Sequence, residues 1–200
     1  MKKSDLVVIL SVSALFIITF SIYPYLTLKE YEVIKFVQKL MFHFPNSIPI
    51  FLGNLGYYIC TITASVLTSL FLLFKKKFKA FFIFLIPFTT ILSLSHHIKK
   101  IFLRPRPPVE LQIVPRGGTS FPSGHSVTTA CIFSIVIYII LKYTENKSLK
   151  ITLITLCTIW VLLVGFSRVW LGVHHPTDIM AGYIFGFLYA YIFILIDKKL

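Results

Sequence analysis

Long apolar runs, separated by short polar segments, fill most of this 200-residue chain. Six such runs cover approximately residues 6–23, 48–74, 80–95, 126–141, 151–167 and 179–196. A helix needs about 20 residues to cross the hydrocarbon core of a bilayer, and the flanks of the shorter runs supply the missing length. Because a span must satisfy its own backbone hydrogen bonds, the runs predict helices. We therefore expect an all-α polytopic membrane protein, a six-transmembrane-helix bundle that forms one domain over residues 1–200.

A polar stretch between the first two runs has a helical pattern of its own. The segment Thr27-Leu28-Lys29-Glu30 fits a capping box, which predicts that a new helix begins there. The apolar positions that follow fall on one helical face: Val33, Ile34, Val37, Leu40 and Met41. We expect a short interfacial helix between spans one and two. A connecting helix packed against the bundle is the alternative.

Composition agrees with a membrane protein and argues against several other classes. Hydrophobic residues make up 56% of the chain and charged residues only 14%, which is too apolar for a soluble domain. Cys60, Cys131 and Cys157 all lie within apolar runs and have no neighbours at metal-ligand spacing. They predict small buried side chains rather than a disulfide framework or a zinc site.

The lysines divide the chain into two sides. Eleven of them fall on one side of a six-span arrangement: Lys2, Lys3, Lys75, Lys76, Lys77, Lys79, Lys142, Lys147, Lys150, Lys198 and Lys199. The positive-inside rule makes that side cytoplasmic, so both termini are expected in the cytoplasm. The net charge of +13 then reflects membrane topology, and no basic stripe with interleaved aromatic residues indicates nucleic acid as a partner.

All four arginines fall on the other side: Arg104, Arg106, Arg116 and Arg168. The planar guanidinium, with its five donors, suits phosphate better than the point charge of lysine does. Two of the arginines lie in a cationic segment that runs from Lys99 to Arg106-Pro107. Its prolines fix the backbone just after a span, so we expect the side chains of Lys99 and Arg106 to have fixed positions. A basic, proline-stiffened surface loop is the simpler interpretation of this segment alone.

A second polar segment, Pro122-Ser123-Gly124-His125, comes directly before the fourth apolar run. Free backbone N–H groups at the start of a helix form an anion site, and Gly124 allows a phosphate to approach closely. His125 is then expected at the mouth of the fourth span. An ordinary helix N-cap next to an incidental histidine is the alternative for this tetrapeptide.

The third segment runs from Ser167-Arg168 to Asp178 at the start of the sixth span. His174 and Asp178 are four residues apart, and Pro176 suits the first turn of a helix. This spacing places a carboxylate beside an imidazole. An acidic residue at a membrane surface usually has a function. Stabilisation of the helix dipole is another role for Asp178, compatible with the first.

Together the three segments resemble the type 2 phosphatidic acid phosphatase (PAP2) superfamily, a group of membrane lipid phosphatases. The resemblance implies that His174 attacks phosphorus and forms a phosphohistidine. It implies that Asp178 orients the His174 ring, and that His125 protonates the leaving group and then activates water. It also assigns the substrate phosphate to five residues: Lys99, Arg106, Ser123, Gly124 and Arg168. No metal and no cofactor are implied.

Four other charged residues lie outside the motif positions. Arg104, Arg116, Lys100 and Glu110 are expected either to widen the cationic field, to bind a second phosphate, or to be solvated loop charges. The remaining histidines that match no motif, His43, His96 and His97, are interpreted as interfacial or packing residues.

The resemblance implies a metal-independent hydrolase of a membrane lipid phosphate or diphosphate. Undecaprenyl diphosphate, phosphatidylglycerophosphate and phosphatidic acid are the expected substrate types. The lysine distribution places the site on the extracytoplasmic side of the cell membrane. Two alternatives remain open: a phosphotransferase on the same scaffold, and a non-catalytic transporter or binder of lipid phosphates.

Overall fold

The computed structural model describes residues 3–199, apart from the side chains at positions 55 and 56. Within that range the chain forms seven α-helices: α1 Lys3–Leu40, α2 Ser47–Gly53, α3 Leu55–Phe74, α4 Phe78–Phe102, α5 Gly124–Tyr143, α6 Lys147–Trp170 and α7 Pro176–Lys199. A 3₁₀ turn covers Val109–Leu111. Each predicted apolar run lies within these helices, with α2 and α3 sharing the second. Six segments are long and apolar enough to cross a membrane, which confirms the predicted all-α bundle.

The segment predicted to form a short helix between the first two spans is part of α1. Residues 27–40 simply continue α1, and the short helix α2 belongs to the second apolar run. The hydroxyl of Thr27 does not cap a new helix but donates to the Tyr23 carbonyl oxygen at 3.0 Å. Glu30 is buried rather than closing a capping box, because its carboxylate binds Arg104 in the loop after α4 and Thr177 in α7. The predicted capping box was therefore wrong.

The extended part of α1 packs against the bundle. Ile34 and Val37 are buried in a cluster with Val169, Trp170 and Ile179, which come from α6 and α7. Burial of apolar side chains is the main favourable term in packing of this kind, at about 25 cal/mol per Å² removed from water. This contact holds the end of α1 beside the start of α7.

Helices α5 and α7 form the closest pair in the bundle. A side chain at Gly182 would contact the Cβ of Ser126 at 2.7 Å, and one at Gly186 would overlap the backbone carbonyl of Val127. Small residues on a membrane helix allow this close approach. The pair also brings the two helix starts together, because the Ser123 N–H donates to the Asp178 carbonyl oxygen at 2.9 Å.

The motif loops and the lysine-rich turns lie at opposite ends of the helices. The lysines predicted to set topology lie at the start of α1, in or beside the turns α3–α4 and α5–α6, and at the end of α7. Lys2 lies outside the described residues. At this end, Lys142 Nζ forms an ion pair with Asp197 Oδ2 at 2.6 Å. The loops 103–123 and 171–175 lie at the other end.

Candidate active site

Arg106 is held beside Nε2 of the His174 ring by the backbone of two loops. Its Nε donates to the Gly117 carbonyl oxygen at 2.8 Å, and its Nη1 donates to the Val173 carbonyl oxygen at 2.6 Å. The same Nη1 lies 3.2 Å from Nε2 of His174. Burial lowers the pKa of Arg106, while the negative charge of Asp178 opposes this shift. The guanidinium nevertheless stays charged, because its intrinsic pKa is above about 12.

The contacts of His174 determine which ring nitrogen carries the proton. A guanidinium only donates, so the Nε2 atom that faces Arg106 must present its lone pair. The proton then lies on Nδ1, which is 3.2 Å from Ser120 Oγ and 3.5 Å from Asp178 Oδ2. Burial lowers the pKa of His174 to about 3; the hydrogen bond to Asp178 opposes this, and Lys99 and Arg106 add to it. His174 is therefore neutral near pH 7, with Nε2 available as a nucleophile.

Asp178 accepts hydrogen bonds on both carboxylate oxygens. Oδ1 binds Arg104 Nη1 at 2.7 Å, and Oδ2 accepts from the Ser120 hydroxyl and from the His175 backbone N–H at 2.8 Å. The His175 ring also faces this oxygen, because its Nδ1 lies 3.2 Å from Oδ2. The structure thus places Asp178 beside His174, as the four-residue spacing predicted, in a position fixed by several donors.

The other predicted cations surround the same space. Lys99 Nζ donates to the carbonyl oxygens of Thr119 and Ser120 at 3.1 and 3.0 Å. Arg168 Nη2 donates to the Pro49 carbonyl oxygen in α2 at 3.2 Å. A Cβ at Gly53 would overlap the Arg168 guanidinium, so this glycine makes room for the cation. Short helix α2 therefore supports one wall of the site.

The residues of the tetrapeptide Pro122–His125, which spans the start of α5, contribute unequally to the site. Gly124 and His125 line the cavity, and the His125 ring centroid lies 4.3 Å from that of Tyr57. A Cβ at Gly124 would lie 3.2 Å from Ser95 Oγ, which is tighter than an ordinary contact. The Ser123 hydroxyl, expected to hold a phosphate oxygen, is buried and has no hydrogen-bond partner among the described atoms. It forms no capping hydrogen bond either.

These groups enclose a cavity of about 180 Å³ at the motif end of the bundle. Its lining includes the two motif histidines and four cations: His125, His174, Lys99, Arg106, Arg116 and Arg168. Neighbouring side chains Tyr57, Tyr58 and His96 also line it. His96 was interpreted as an interfacial or packing residue, yet it lies one helical turn before Lys99 on α4. The three-residue spacing indicates that both side chains lie on the same face of that helix.

Arg104 does not widen the cationic field, and it does not reach the cavity to bind a second phosphate. It is 1% exposed and binds two carboxylates, those of Glu30 and Asp178. Among the other charges of uncertain role, Arg116 lines the cavity and donates to Asn54 Oδ1 at 3.0 Å, while Lys100 and Glu110 are exposed. No local pattern indicates the partners of Arg104, because Glu30 and Asp178 each lie 74 residues away along the chain.

The three motif segments that surround this cavity also occur together in a known protein family. The family model of the PAP2 superfamily matches residues 80–200, which include all three segments. The chain belongs to the PAP2 superfamily. The predicted resemblance is therefore confirmed, and the six apolar helices make this PAP2 member a multi-pass membrane protein.

Two curated PAP2 relatives and one solved structure illustrate the similarity. The chain is 34% identical to phosphatidylglycerophosphatase B of Bacillus subtilis (strain 168) over 118 residues, which are 58% of this chain and 57% of that protein. It is 28% identical to undecaprenyl-diphosphatase of Sulfolobus acidocaldarius over 174 residues, 84% of this chain and 78% of the relative. A crystal structure of a transmembrane PAP2-type phosphatidylglycerolphosphate phosphatase from Bacillus subtilis superposes with a TM-score of 0.84 at 25% identity, covering 96% of each chain.

Proposed function

We propose that this PAP2 member is a metal-independent lipid phosphatase that hydrolyses a lipid phosphate or diphosphate through a phosphohistidine intermediate. The observation that supports it best is the orientation of His174. Its unprotonated Nε2 faces Arg106 at 3.2 Å within a cavity lined by cations, while its Nδ1 lies beside Asp178. This arrangement presents a nucleophile to an anionic phosphorus centre.

In the first step, Nε2 of His174 attacks phosphorus, and the bond between phosphorus and the leaving oxygen breaks. His125, which lines the same cavity, donates a proton to that oxygen. The leaving group is the lipid alcohol of a monoester or the lipid monophosphate of a diphosphate. Asp178 stabilises the positive charge that the His174 ring acquires, in the way that a triad acid stabilises an imidazolium.

In the second step, His125 accepts a proton from water, and the resulting hydroxide attacks phosphorus. The bond between phosphorus and Nε2 breaks, which releases inorganic phosphate and restores neutral His174. Lys99, Arg106 and Arg168 hold the non-bridging oxygens in both steps, and Gly124 gives them room to approach. Such pre-oriented donors stabilise the charge of the transition state.

A lipid substrate is supported by an apolar cavity that adjoins the cationic one. It has a volume of about 640 Å³, lies between α3, α4 and α5, and shares Tyr57, Tyr58 and Leu92 with the first cavity. A phosphate bound among the cations would thus have apolar surface beside it for an attached hydrocarbon chain. The names of the relatives favour phosphatidylglycerophosphate and undecaprenyl diphosphate as substrates, with phosphatidic acid as a further type.

We also propose that residues 1–200 form a single phosphatase domain, with both termini cytoplasmic and the site on the extracytoplasmic face of the cell membrane. The lysines at the opposite end of the helices support this orientation. Single cysteines in place of Lys76 and Lys100, in a background without native cysteines, test it by labelling in intact cells. A membrane-impermeant maleimide should label position 100 and not position 76. The reverse result would invert the topology.

Phosphate release from a panel of lipid phosphates, measured with the purified chain in vesicles, tests the activity. His174→Ala should abolish release. His97→Ala is the matched control, because His97 is exposed, outside the cavity lining, and bonded to the Ser93 carbonyl oxygen. Release that survives His174→Ala would contradict the mechanism. Transfer of labelled phosphate to another acceptor would indicate a phosphotransferase, and binding without release would indicate a transporter or binder.

A further inference from the structure

Glu30 and Arg104 lie directly behind Asp178, outside the motif positions assigned to the site. We infer that they are positioning residues, which fix Asp178 and balance the charge that His174 acquires during the reaction. The inference rests on the proposed function, because it concerns the same nucleophile. It gives the first span, which contains none of the three motifs, a role in the chemistry.

The contacts form a continuous buried chain from α1 to α7. Arg104 Nη2 donates to Glu30 Oε2 at 2.6 Å, and its Nη1 donates to Asp178 Oδ1 at 2.7 Å. The ring of Tyr23 covers the guanidinium, with 4.2 Å between the guanidinium carbon and the ring centroid. Arg104 is absent from the lining of either cavity described above. Its charge is therefore directed at the two carboxylates and not at a ligand.

Glu30 also fixes the backbone at the start of α7. Its Oε1 accepts from the Thr177 backbone N–H at 2.8 Å and from the Thr177 hydroxyl at 2.6 Å. Thr177 immediately precedes Asp178, and its hydroxyl oxygen accepts from Arg104 Nη1 at 2.7 Å. A carboxylate at a helix N-terminus satisfies free N–H groups and interacts favourably with the dipole. The carboxylate of α1 thus anchors the turn from which Asp178 projects.

The formal charges of this cluster suit the proposed intermediate. Arg104 contributes one positive charge, while Glu30 and Asp178 contribute one negative charge each, so the cluster carries one net negative charge while His174 is neutral. When Nε2 bonds to phosphorus and Nδ1 keeps its proton, the ring becomes positive and the sum becomes zero. In Glu30→Gln the sum is zero at rest and becomes positive in the intermediate. An uncompensated charge in a buried region is costly.

A purely structural role is the competing explanation, since removing one partner of a buried ion pair usually destabilises a protein. The two explanations differ in what they predict for a folded variant. A positioning role lowers kcat and leaves phosphate binding intact, because Lys99, Arg106 and Arg168 are unchanged. A structural role lowers yield and thermal stability and affects binding and turnover together.

The experiment compares Glu30→Gln with the parent chain in vesicles. We expect kcat for a lipid phosphate to fall by about 10–100-fold, the size of effect seen when outer-shell partners of metal ligands are removed. The inhibition constant of inorganic phosphate should be unchanged. Asp197→Asn is the matched control, because it breaks the ion pair of a buried carboxylate with Lys142 at the other end of the bundle. That variant should keep the parent kcat.

A second readout does not depend on any lipid substrate. Diethyl pyrocarbonate modifies unprotonated histidine nitrogens, and mass spectrometry of a digest gives the rate at His174. In Glu30→Gln the position of Asp178 is no longer fixed, so His174 should be modified more slowly than in the parent chain and in Asp197→Asn. If the parent chain hydrolyses no lipid phosphate, the proposed function fails, while this rate still tests the positioning role.

Conservative replacement at Arg104 completes the test. Arg104→Lys keeps the charge and should retain more activity than Arg104→Gln, which leaves two buried carboxylates without a cation. These variants decide the matter if Glu30→Gln does not fold. Unchanged kcat and unchanged His174 modification in the folded variants would overturn the inference. A parallel loss of phosphate binding, stability and turnover would also overturn it, in favour of a structural role.

Discussion

The Nη1 atom of Arg106 lies 3.2 Å from the Nε2 atom of His174, and this contact fixes the ring's tautomer. Because Arg106 only donates, Nε2 holds a lone pair, and Nδ1 must carry the proton that faces Asp178. The same guanidinium is bonded to two backbone carbonyl oxygens, which fix its position. Arg106 thus orients the proposed nucleophile before a substrate binds.

Asp178→Asn should remove most of the hydrolytic activity. The amide nitrogen donates where the carboxylate accepted, so it favours the wrong tautomer of His174 and no longer stabilises a positive ring. In a catalytic triad the equivalent change lowers kcat by about 10⁴-fold, and we expect a loss of that order. Steady-state phosphate release measures it. A loss smaller than that of Glu30→Gln would contradict the direct role of Asp178.

Gly53→Ala should impair the site from a distance. The new Cβ would overlap the Arg168 guanidinium, which must then leave its place beside Pro49. Loss of a charge-assisted hydrogen bond is worth about 1.5–3 kcal/mol, so kcat/KM should fall by roughly 10–100-fold.

Gly117→Ala is the matched control for this glycine substitution. A Cβ at position 117 meets nothing within 4 Å, and the carbonyl oxygen that binds Arg106 is retained. Equal activity of the two variants would show that Arg168 does not need its observed position.

The stability of the protein should fall as the pH drops from about 6.5 towards 3, partly because of His174. The pKa of His174 is about 3 in the folded chain and about 6.5 when unfolded. Between these pH values His174 is protonated in the unfolded chain and neutral in the folded chain. The contribution of His174 to the free energy of unfolding is therefore complete above pH 6.5 and decreases below it.

Thermal unfolding in detergent measures this dependence. His174→Gln should show a shallower decrease in Tm between pH 7 and pH 4 than the parent chain, because glutamine does not titrate. Other groups affect both chains, and the difference isolates position 174. Identical slopes would mean that the His174 pKa is not depressed.

Ser65→Trp should separate long-chain from short-chain substrates. Ser65 lies on α3 in the wall of the apolar cavity, where an indole would fill space proposed for a hydrocarbon chain. We expect a lower kcat/KM for long-chain lipid phosphates and little change for a water-soluble phosphate monoester. Leu156→Trp on the exposed face of α6 is the control. Equal effects on both substrate types would exclude this cavity as the chain-binding site.

The chain's local patterns predicted the six spans and the residues around the cavity. Apolar run length is enough for the spans, since a membrane helix makes its backbone hydrogen bonds within itself. The spacing of His174 and Asp178 is likewise local, because four residues are about one helical turn. Lys99 and Arg106 were predicted by residue type and by their place after a span.

Tertiary structure decided the features that depend on distant contacts. Glu30 matched a local capping box, but its carboxylate binds Arg104, 74 residues away, and Thr177, 147 residues away. Ser120 reaches Asp178 across 58 residues. A sequence pattern shows which side chains suit a phosphate site. Only the packing of α1, α5 and α7 determines which of them face the cavity and which lie behind it.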